Sequence, residues 1–117
     1  AASEYRAYLE SLTLEGLLSK PRFEGWDGFV PLDSLHECQS AYRQTIQRLI
    51  DLGPHRGLKP VLRILRNCVY QINAIDDAHK GFIETIAREE LAEELDEIAY
   101  AAGLRLEPGI ALRWADW

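Results

Sequence analysis

Apolar residues recur at intervals of three and four through much of this chain, and this spacing constrains its fold more than any other feature. The longest example runs from Val61 through Leu65, Cys68 and Ile72 to Ile75. Such side chains fall on one face of a helix, whereas half-buried strands alternate apolar and polar residues. No pair of alternating segments competes with the helical ones. The spacing therefore predicts an all-α fold.

Breaks in this pattern predict a bundle-like domain of four or five helices. The predicted helices cover residues 3–19 (one kinked helix or two short ones), 33 or 34 to 52, 60 to about 79, and 85 to 102. Asp33 or Ser34 and Thr85 are candidate caps for the free amides of a first helical turn. Gly81 and Gly103 are expected to end the last two helices, with apolar Leu104 following the second glycine.

Two segments do not fit the helical pattern. Residues 20–32 contain two prolines and two glycines and predict a long loop. The loop also carries Phe23, Trp26 and Phe29, which either cover the core or contact a partner, and we favour the first interpretation. The final residues alternate in polarity about Pro108 and Gly109, which predicts a short extended C-terminal tail or hairpin.

Length and composition set further limits. At 117 residues, the chain is expected to form one domain over residues 1–117, and its 47% apolar content is sufficient for a core. No apolar run approaches the length of a membrane span and no signal segment opens the chain, so a cytoplasmic protein without membrane contact is expected. Cys38 and Cys68 lie on apolar stripes and are predicted to be reduced core thiols; a disulfide or a metal role is the alternative.

Charge is unevenly distributed along the chain. The net charge is -6, yet residues 43–66 carry six basic and one acidic residue, whereas residues 84–107 carry two basic and eight acidic ones. The simplest interpretation is that these two regions neutralise each other in the fold. Within the fourth predicted helix, however, Arg88 aside, almost no cation lies three or four residues from an acid. The self-repulsion of these acids costs stability unless something else compensates it.

A helical projection places the acids of the fourth predicted helix on one outward face. The six acids are Glu89, Glu90, Glu93, Glu94, Asp96 and Glu97, and Tyr100 projects into their midst. Tyrosine surrounded by charges is typical of binding interfaces. The predicted partner-binding residues are Glu89, Glu93, Asp96, Glu97 and Tyr100. The alternative is an ordinary solvated face, with Tyr100 covered by the tail.

A second candidate surface combines the basic region with aromatic residues. Tyr70 projects opposite the core stripe of its helix, between Arg63 and Arg66. It either belongs to a basic contact patch, with which Trp26 and Phe29 of the loop are grouped, or packs under the loop. The six bases of residues 43–66 suffice for a few phosphate contacts. They lack a zinc-finger or RNP-type aromatic context and accompany an acidic helix, which disfavours nucleic acid as a partner.

The sequence offers little for catalysis. No phosphate-binding glycine loop, nucleophile elbow or Cys-x-x-Cys pair is present, and the three histidines lack helical metal-ligand partners. Asp76, Asp77, His79 and Glu84 bracket a helix end and could gather a cation, or could be ordinary turn residues. We therefore expect no cofactor and no enzymatic activity, with a small metal-dependent helical enzyme as the alternative.

One segment supports a functional expectation by resemblance. Residues 81–104, GFIETIAREELAEELDEIAYAAGL, resemble a segment of small uncharacterised bacterial proteins, and the size, acidity and helical pattern of the chain are similar to those of immunity proteins that neutralise bacterial toxins. The resemblance implies a protein-binding module with a basic toxin or nuclease as partner, and no catalytic residues. A homo-oligomer that uses the Trp26 loop or the Trp114 and Trp117 tail is a further alternative.

Overall fold

The computed structural model describes residues 2–26, 28, 30–79, 81–105 and 108–117, and this part of the chain is built from helices. Its α-helices are α1 (Ala2–Glu10), α2 (Leu14–Ser19), α3 (Leu32–Asp51), α4 (Leu58–Ala78) and α5 (Thr85–Ala101). No strand occurs among the described residues, so the all-α prediction is confirmed. None of the described helices combines the length and apolarity needed to cross a membrane.

The first predicted segment is two short helices. α2 begins after Thr13, whose side chain accepts a hydrogen bond from the backbone N–H of Gly16 at 3.0 Å. Threonine in extended backbone conformation at this position satisfies a free amide of the new helix. α1 packs on α5, while α2 packs on α3 and α5.

The two long helices begin earlier than predicted. α3 starts at Leu32 after Pro31, so Asp33 and Ser34 lie inside its first turn and cap nothing. α4 starts at Leu58, with Pro60 in its first turn, where proline is tolerated. Their predicted core stripes are buried, apart from a half-buried Ile75. The stripe of α3 is Leu35, Cys38, Tyr42, Ile46 and Leu49.

Left-handed glycines end the last two long helices, as predicted. Gly81 and Gly103 have φ values of 72° and 102°. The backbone N–H of Leu104 bonds to the Ala99 carbonyl at 2.9 Å, and the Leu104 side chain is buried, which is the expected hydrophobic closure. The predicted cap of α5 is wrong: Thr85 is its first residue, and Glu84 occupies the cap position without a side-chain bond.

The Gly/Pro loop covers the core with its aromatic residues. Phe23 and Trp26 are buried, and their rings stack with centroids 4.4 Å apart. Phe23 also meets the ring of Tyr42 edge-on at 5.2 Å. Because Trp26 is completely buried, the preferred interpretation of the loop is confirmed for these two residues, and Trp26 is not available as a surface contact. Phe29 lies outside the described residues.

The described part of the C-terminal tail contains a short helix in place of the predicted extended segment. A short 3-10 helix spans Ile110–Arg113 after Gly109, which has a φ of 94°. The carboxylate of Asp96 accepts the backbone N–H of Gly109 at 2.9 Å and that of Ile110 at 3.2 Å. The predicted extended segment is wrong because this carboxylate caps a helical turn, which the alternation of apolar residues does not reveal.

Both cysteines are free and buried, as predicted for core thiols. Burial raises the pKa of the Cys38 thiol to about 12 and that of Cys68 to about 11. Burial also raises the pKa of the Tyr42 phenol, whose hydroxyl donates to the Leu91 carbonyl at 2.7 Å. All three groups are therefore protonated in the folded protein at neutral pH.

These raised pKa values predict that alkaline conditions destabilise the fold. The ordinary thiol value is 9.0, so above it the unfolded chain loses protons that the folded chain retains. We expect the free energy of unfolding to be level below about pH 9 and to fall as the pH rises through the pKa values of the two thiols in the folded protein. Guanidinium unfolding in the presence of a reductant measures it. The Cys38→Ala/Cys68→Ala variant should show a shallower fall. An unchanged slope in that variant would contradict the assignment to the thiols.

Candidate functional site

The acids of α5 do not share one outward face, because neighbours pack on several sides of this helix. α5 contacts α1, α2, α4 and the C-terminal 3-10 helix. Glu94 and Glu97 are only 9% and 4% exposed. Glu89 and Glu93 are exposed, whereas Glu90 and Asp96 are half-buried. The prediction that all six acids face solvent is therefore wrong.

The buried carboxylates are compensated by two cations that follow α2. Lys20 Nζ lies 2.8 Å from Glu94 Oε1 and 3.4 Å from Glu97 Oε1. Arg22 Nε lies 3.7 Å from Glu94 Oε2, and its guanidinium donates a hydrogen bond to the carbonyl of Leu17. Among the described residues, Glu94 and Glu97 thus form ion pairs with Lys20 and Arg22, on either side of Pro21, and not with the basic residues 43–66.

Burial and charge act in opposite directions on these cations. Burial lowers the pKa of Lys20, but the hydrogen bond and charge of Glu94 and the charge of Glu97 outweigh it, so the net shift is upward. Burial dominates at Arg22 and lowers the pKa of its guanidinium, despite the nearby charge of Glu94. Arginine nevertheless stays protonated at neutral pH, since its ordinary pKa is so high. The cluster therefore holds two carboxylates against two cations.

Two aromatic side chains also bond to acids of α5. The Tyr8 hydroxyl of α1 donates to Glu97 Oε1 at 3.0 Å. The buried Trp26 indole N–H donates to Glu90 Oε2 at 2.6 Å. These bonds fix the carboxylates in place and attach α1 and the loop to α5.

A cavity of about 220 Å³ lies between these elements. Its lining includes the cation Lys20 together with Tyr8, Phe23, Glu90, Glu93, Glu94 and Glu97. We call it the acidic cavity. Because Tyr8 and Glu93 are themselves exposed, the cavity opens to solvent at their side chains.

A second tyrosine of α1 adjoins the acidic cavity. The Tyr5 and Tyr8 rings lie 6.3 Å apart, and the two residues are 47% and 44% exposed. Burial, followed by the charges of Glu97, Glu93 and Asp96, raises the pKa of Tyr5, which places its phenol in the negative field of α5. Tyr5, Tyr8, Glu90 and Glu93 are referred to below as the tyrosine–glutamate surface.

Asp96 and Tyr100, both predicted to bind a partner, are engaged within the fold. Asp96 caps the C-terminal 3-10 helix through Gly109 and Ile110. Tyr100 is half-buried, and the guanidinium carbon of Arg105 lies 3.6 Å from its ring centroid. That cation occupies one face of the ring. Of the five predicted partner-binding residues, Glu89 and Glu93 are therefore the exposed ones.

The predicted basic surface is exposed together with Tyr70, but Trp26 is not part of it. Arg63, Arg66 and Tyr70 are all exposed on α4, and Trp26 is remote from solvent. Arg63 and Arg66 line a cavity of about 310 Å³ together with Lys59, Leu62 and Trp114. Trp114 of the tail, which was not among the predicted members of this surface, thus lines the groove with the two arginines.

The four residues considered for a metal site are not brought together. His79 Nε2 lies 3.0 Å from Glu37 Oε2, and Asp76 accepts the backbone N–H of Ile83 at 2.9 Å. Within the described part of the chain, Asp76 and Asp77 share a cluster of carboxylates with Asp116 instead of with His79 and Glu84. The ligand set of the metal-dependent alternative is thus not assembled.

Tyr5, Tyr8, Lys20 and Arg22 are site residues that the sequence pattern did not indicate. One signal for the cations was present: α5 has almost no cation at helical spacing from its acids, so counter-charges had to come from another segment. The segment after α2 supplies them, with a basic residue on each side of Pro21. The tyrosines carried no such signal, because their position depends on how α1 packs against α5.

Comparisons of the chain with protein-family models, with curated proteins and with solved structures found no match in any of the three.

The buried cluster predicts that two neighbouring glutamates contribute very differently to the free energy of unfolding. Glu94→Gln removes the charge that both Lys20 and Arg22 face, and we expect it to lower the free energy of unfolding by about 3 kcal/mol. Glu93→Gln is the control, because this exposed residue should change stability by less than about 0.5 kcal/mol. Guanidinium unfolding at pH 7 measures both. Equal effects of the two substitutions would show that the buried ion pairs do not stabilise the fold.

Proposed function

We propose that this chain is a protein–protein interaction module that binds a basic protein through its tyrosine–glutamate surface, in the manner of an immunity-type inhibitor of a toxin or nuclease. The observation that carries the proposal is the open acidic cavity, at whose edge Tyr8 and Glu93 are exposed. This site differs from the one predicted around Tyr100, since it is centred on the junction of α1 and α5.

The chemistry of the surface favours a cationic side chain as the group that enters. Glu90 and Glu93 provide carboxylate oxygens, and Tyr8 and Phe23 provide aromatic rings at the same cavity. Carboxylates form charge-assisted hydrogen bonds with guanidinium and ammonium groups, and aromatic faces attract the same cations. Lys20 of this chain also lines the cavity, but it is paired with Glu94 and Glu97, so an arginine or lysine of a partner would meet Glu90, Glu93 and the two rings.

The surface also has the composition of an interface anchor. Tyrosine is enriched among the residues that carry most of the binding energy, and Tyr5 and Tyr8 each expose nearly half of their surface. Tyr8 is held by its bond to Glu97, so part of its conformational freedom is already lost before a partner arrives. A preorganised tyrosine costs less to immobilise on binding.

Long-range electrostatics support the same kind of partner. The chain has a net charge of -6, and Glu89 lies exposed one helical turn before Glu93. A negative field of this kind accelerates the encounter with a basic protein and makes it sensitive to salt. The similarity in size, acidity and helical pattern to immunity proteins points in the same direction.

The proposal is tested with a basic protein captured from the host lysate at low salt, purified, and titrated against variants of this chain. We expect Glu93→Lys and Tyr5→Ala each to weaken the affinity by about tenfold, with the loss in Glu93→Lys mainly in the association rate. Asp51→Lys is the matched control, because it reverses the charge of an exposed acid of α3 that lies outside the tyrosine–glutamate surface. We expect its affinity for the basic protein to stay close to that of the parent chain.

Two outcomes would contradict the proposal. One is an equal loss of affinity in Asp51→Lys and Glu93→Lys, because binding would then depend on total charge alone. The other is full affinity in the Glu93→Lys/Tyr5→Ala double variant, provided that its circular dichroism matches that of the parent.

A further inference from the structure

The exposed face of α4 carries a stripe of cations that ends in an aromatic residue. Lys59, Arg63, Arg66 and Tyr70 follow one another at intervals of four, three and four residues, and all are exposed. At 100° per residue they project within an arc of about 60°. At 1.5 Å per residue the stripe is about 16 Å long.

This stripe does not stabilise the helix that carries it. Like charges three and four residues apart repel, and Lys59 lies in the first turn of α4, where the helix dipole disfavours a cation and where no acid is present. Among the residues that the structure describes, none forms an ion pair with Lys59, Arg63 or Arg66. The acids of α4, Asp76 and Asp77, lie at its opposite end.

The C-terminal segment fixes a tryptophan beside these cations. Asn73 of α4 donates from Nδ2 to the carbonyl of Trp114 at 3.0 Å, and its Oδ1 accepts the backbone N–H of Asp116 at 3.2 Å. Trp114 is half-buried and lines the 310 Å³ groove with Arg63 and Arg66. The backbone of Trp114 is therefore held in place, and its side chain lines the same groove as the side chains of Arg63 and Arg66.

We propose that this groove and the stripe beside it bind single-stranded nucleic acid, with phosphates on Lys59, Arg63 and Arg66 and a base stacked on Trp114. Single strands are bound without sequence readout by basic grooves in which aromatic rings stack on successive bases. Tyr70, one helical turn beyond Arg66, supplies a second ring. Because the stripe is longer than one nucleotide, a strand fits it better than a free mononucleotide does.

The aromatic residues distinguish this partner from an acidic peptide. Carboxylates of a peptide would pair with the three cations, but Trp114 and Tyr70 offer flat apolar faces that match bases. The net charge of -6, which disfavours nucleic acid on composition alone, includes the many acids of α5, and of these Glu94 and Glu97 are already paired with Lys20. The local charge of the α4 stripe is positive.

The experiment is fluorescence anisotropy of a labelled ten-nucleotide single strand titrated with the full chain at low salt. We expect Arg63→Ala/Arg66→Ala to weaken binding at least tenfold and to reduce the salt slope of log K by about 1.4, since each phosphate contact on a single strand contributes about 0.7. Arg6→Ala/Arg88→Ala is the matched control, because it removes two exposed arginines from α1 and α5 and should leave both quantities near those of the parent.

Trp114→Leu separates stacking from attraction between charges. It leaves the net charge unchanged, and we expect it to weaken binding of the single strand about fivefold while leaving the binding of polyphosphate, which has no bases, unaffected. Circular dichroism and the denaturation midpoint establish that the variant is folded; if it is not, Tyr70→Leu provides the same comparison on an exposed residue.

Several results would overturn the proposal. If polyphosphate bound as tightly as the oligonucleotide, the groove would attract anions only. If polyglutamate did, it would be a site for an acidic peptide. An oligonucleotide affinity that neither Trp114→Leu nor Tyr70→Leu changes would exclude stacking. Failure here leaves the basic-partner proposal intact, because the variants that test that proposal lie on α1 and α5.

Discussion

The pairing of Glu94 and Glu97 with Lys20 and Arg22 is the interaction on which the rest of the structure depends. Buried carboxylates are tolerated only when they are paired and hydrogen-bonded, and here the partners come from a segment more than seventy residues away in sequence. The pairing holds the end of α2 against α5, and the loop that follows packs Phe23 and Trp26 over the core. One electrostatic requirement of α5 thus determines where the chain between α2 and α3 lies.

The other acids of α5 show that much of its charge is structural. Glu90 accepts the Trp26 indole N–H, and Asp96 caps the C-terminal 3-10 helix. Each carboxylate therefore holds in place a segment for which the sequence does not predict a helix. The consequence for function is that the surface able to meet a partner is smaller than the acidic composition suggests and has moved toward α1, where Tyr5 and Tyr8 are exposed.

Local patterns predicted the helices well and the surfaces poorly, for physical reasons. The stripes of α3 and α4 and the glycine that ends α5 depend on residues within a few positions, so sequence was sufficient. The helical projection placed Glu97 on an outward face because it assumes one buried stripe. In the structure, α5 is covered by α1, α2, α4 and the C-terminal 3-10 helix. The C-terminal turn was missed because its cap, Asp96, lies thirteen residues before Gly109. Contacts that form only in three dimensions leave no periodic signal.

The C-terminal segment links the two proposed surfaces through ordinary hydrogen bonds. Asp96 of α5 holds Gly109 at the start of the last 3-10 helix, and Asn73 of α4 holds Trp114 just after its end. The segment that carries Trp114 is therefore held at one end by α5, which also carries Glu93 and Glu90, and at the other end by α4. Total charge describes neither surface: negative side chains at the α1–α5 junction and positive ones along α4 coexist because the fold separates them. Each surface follows from which charges the fold pairs internally and which it leaves exposed.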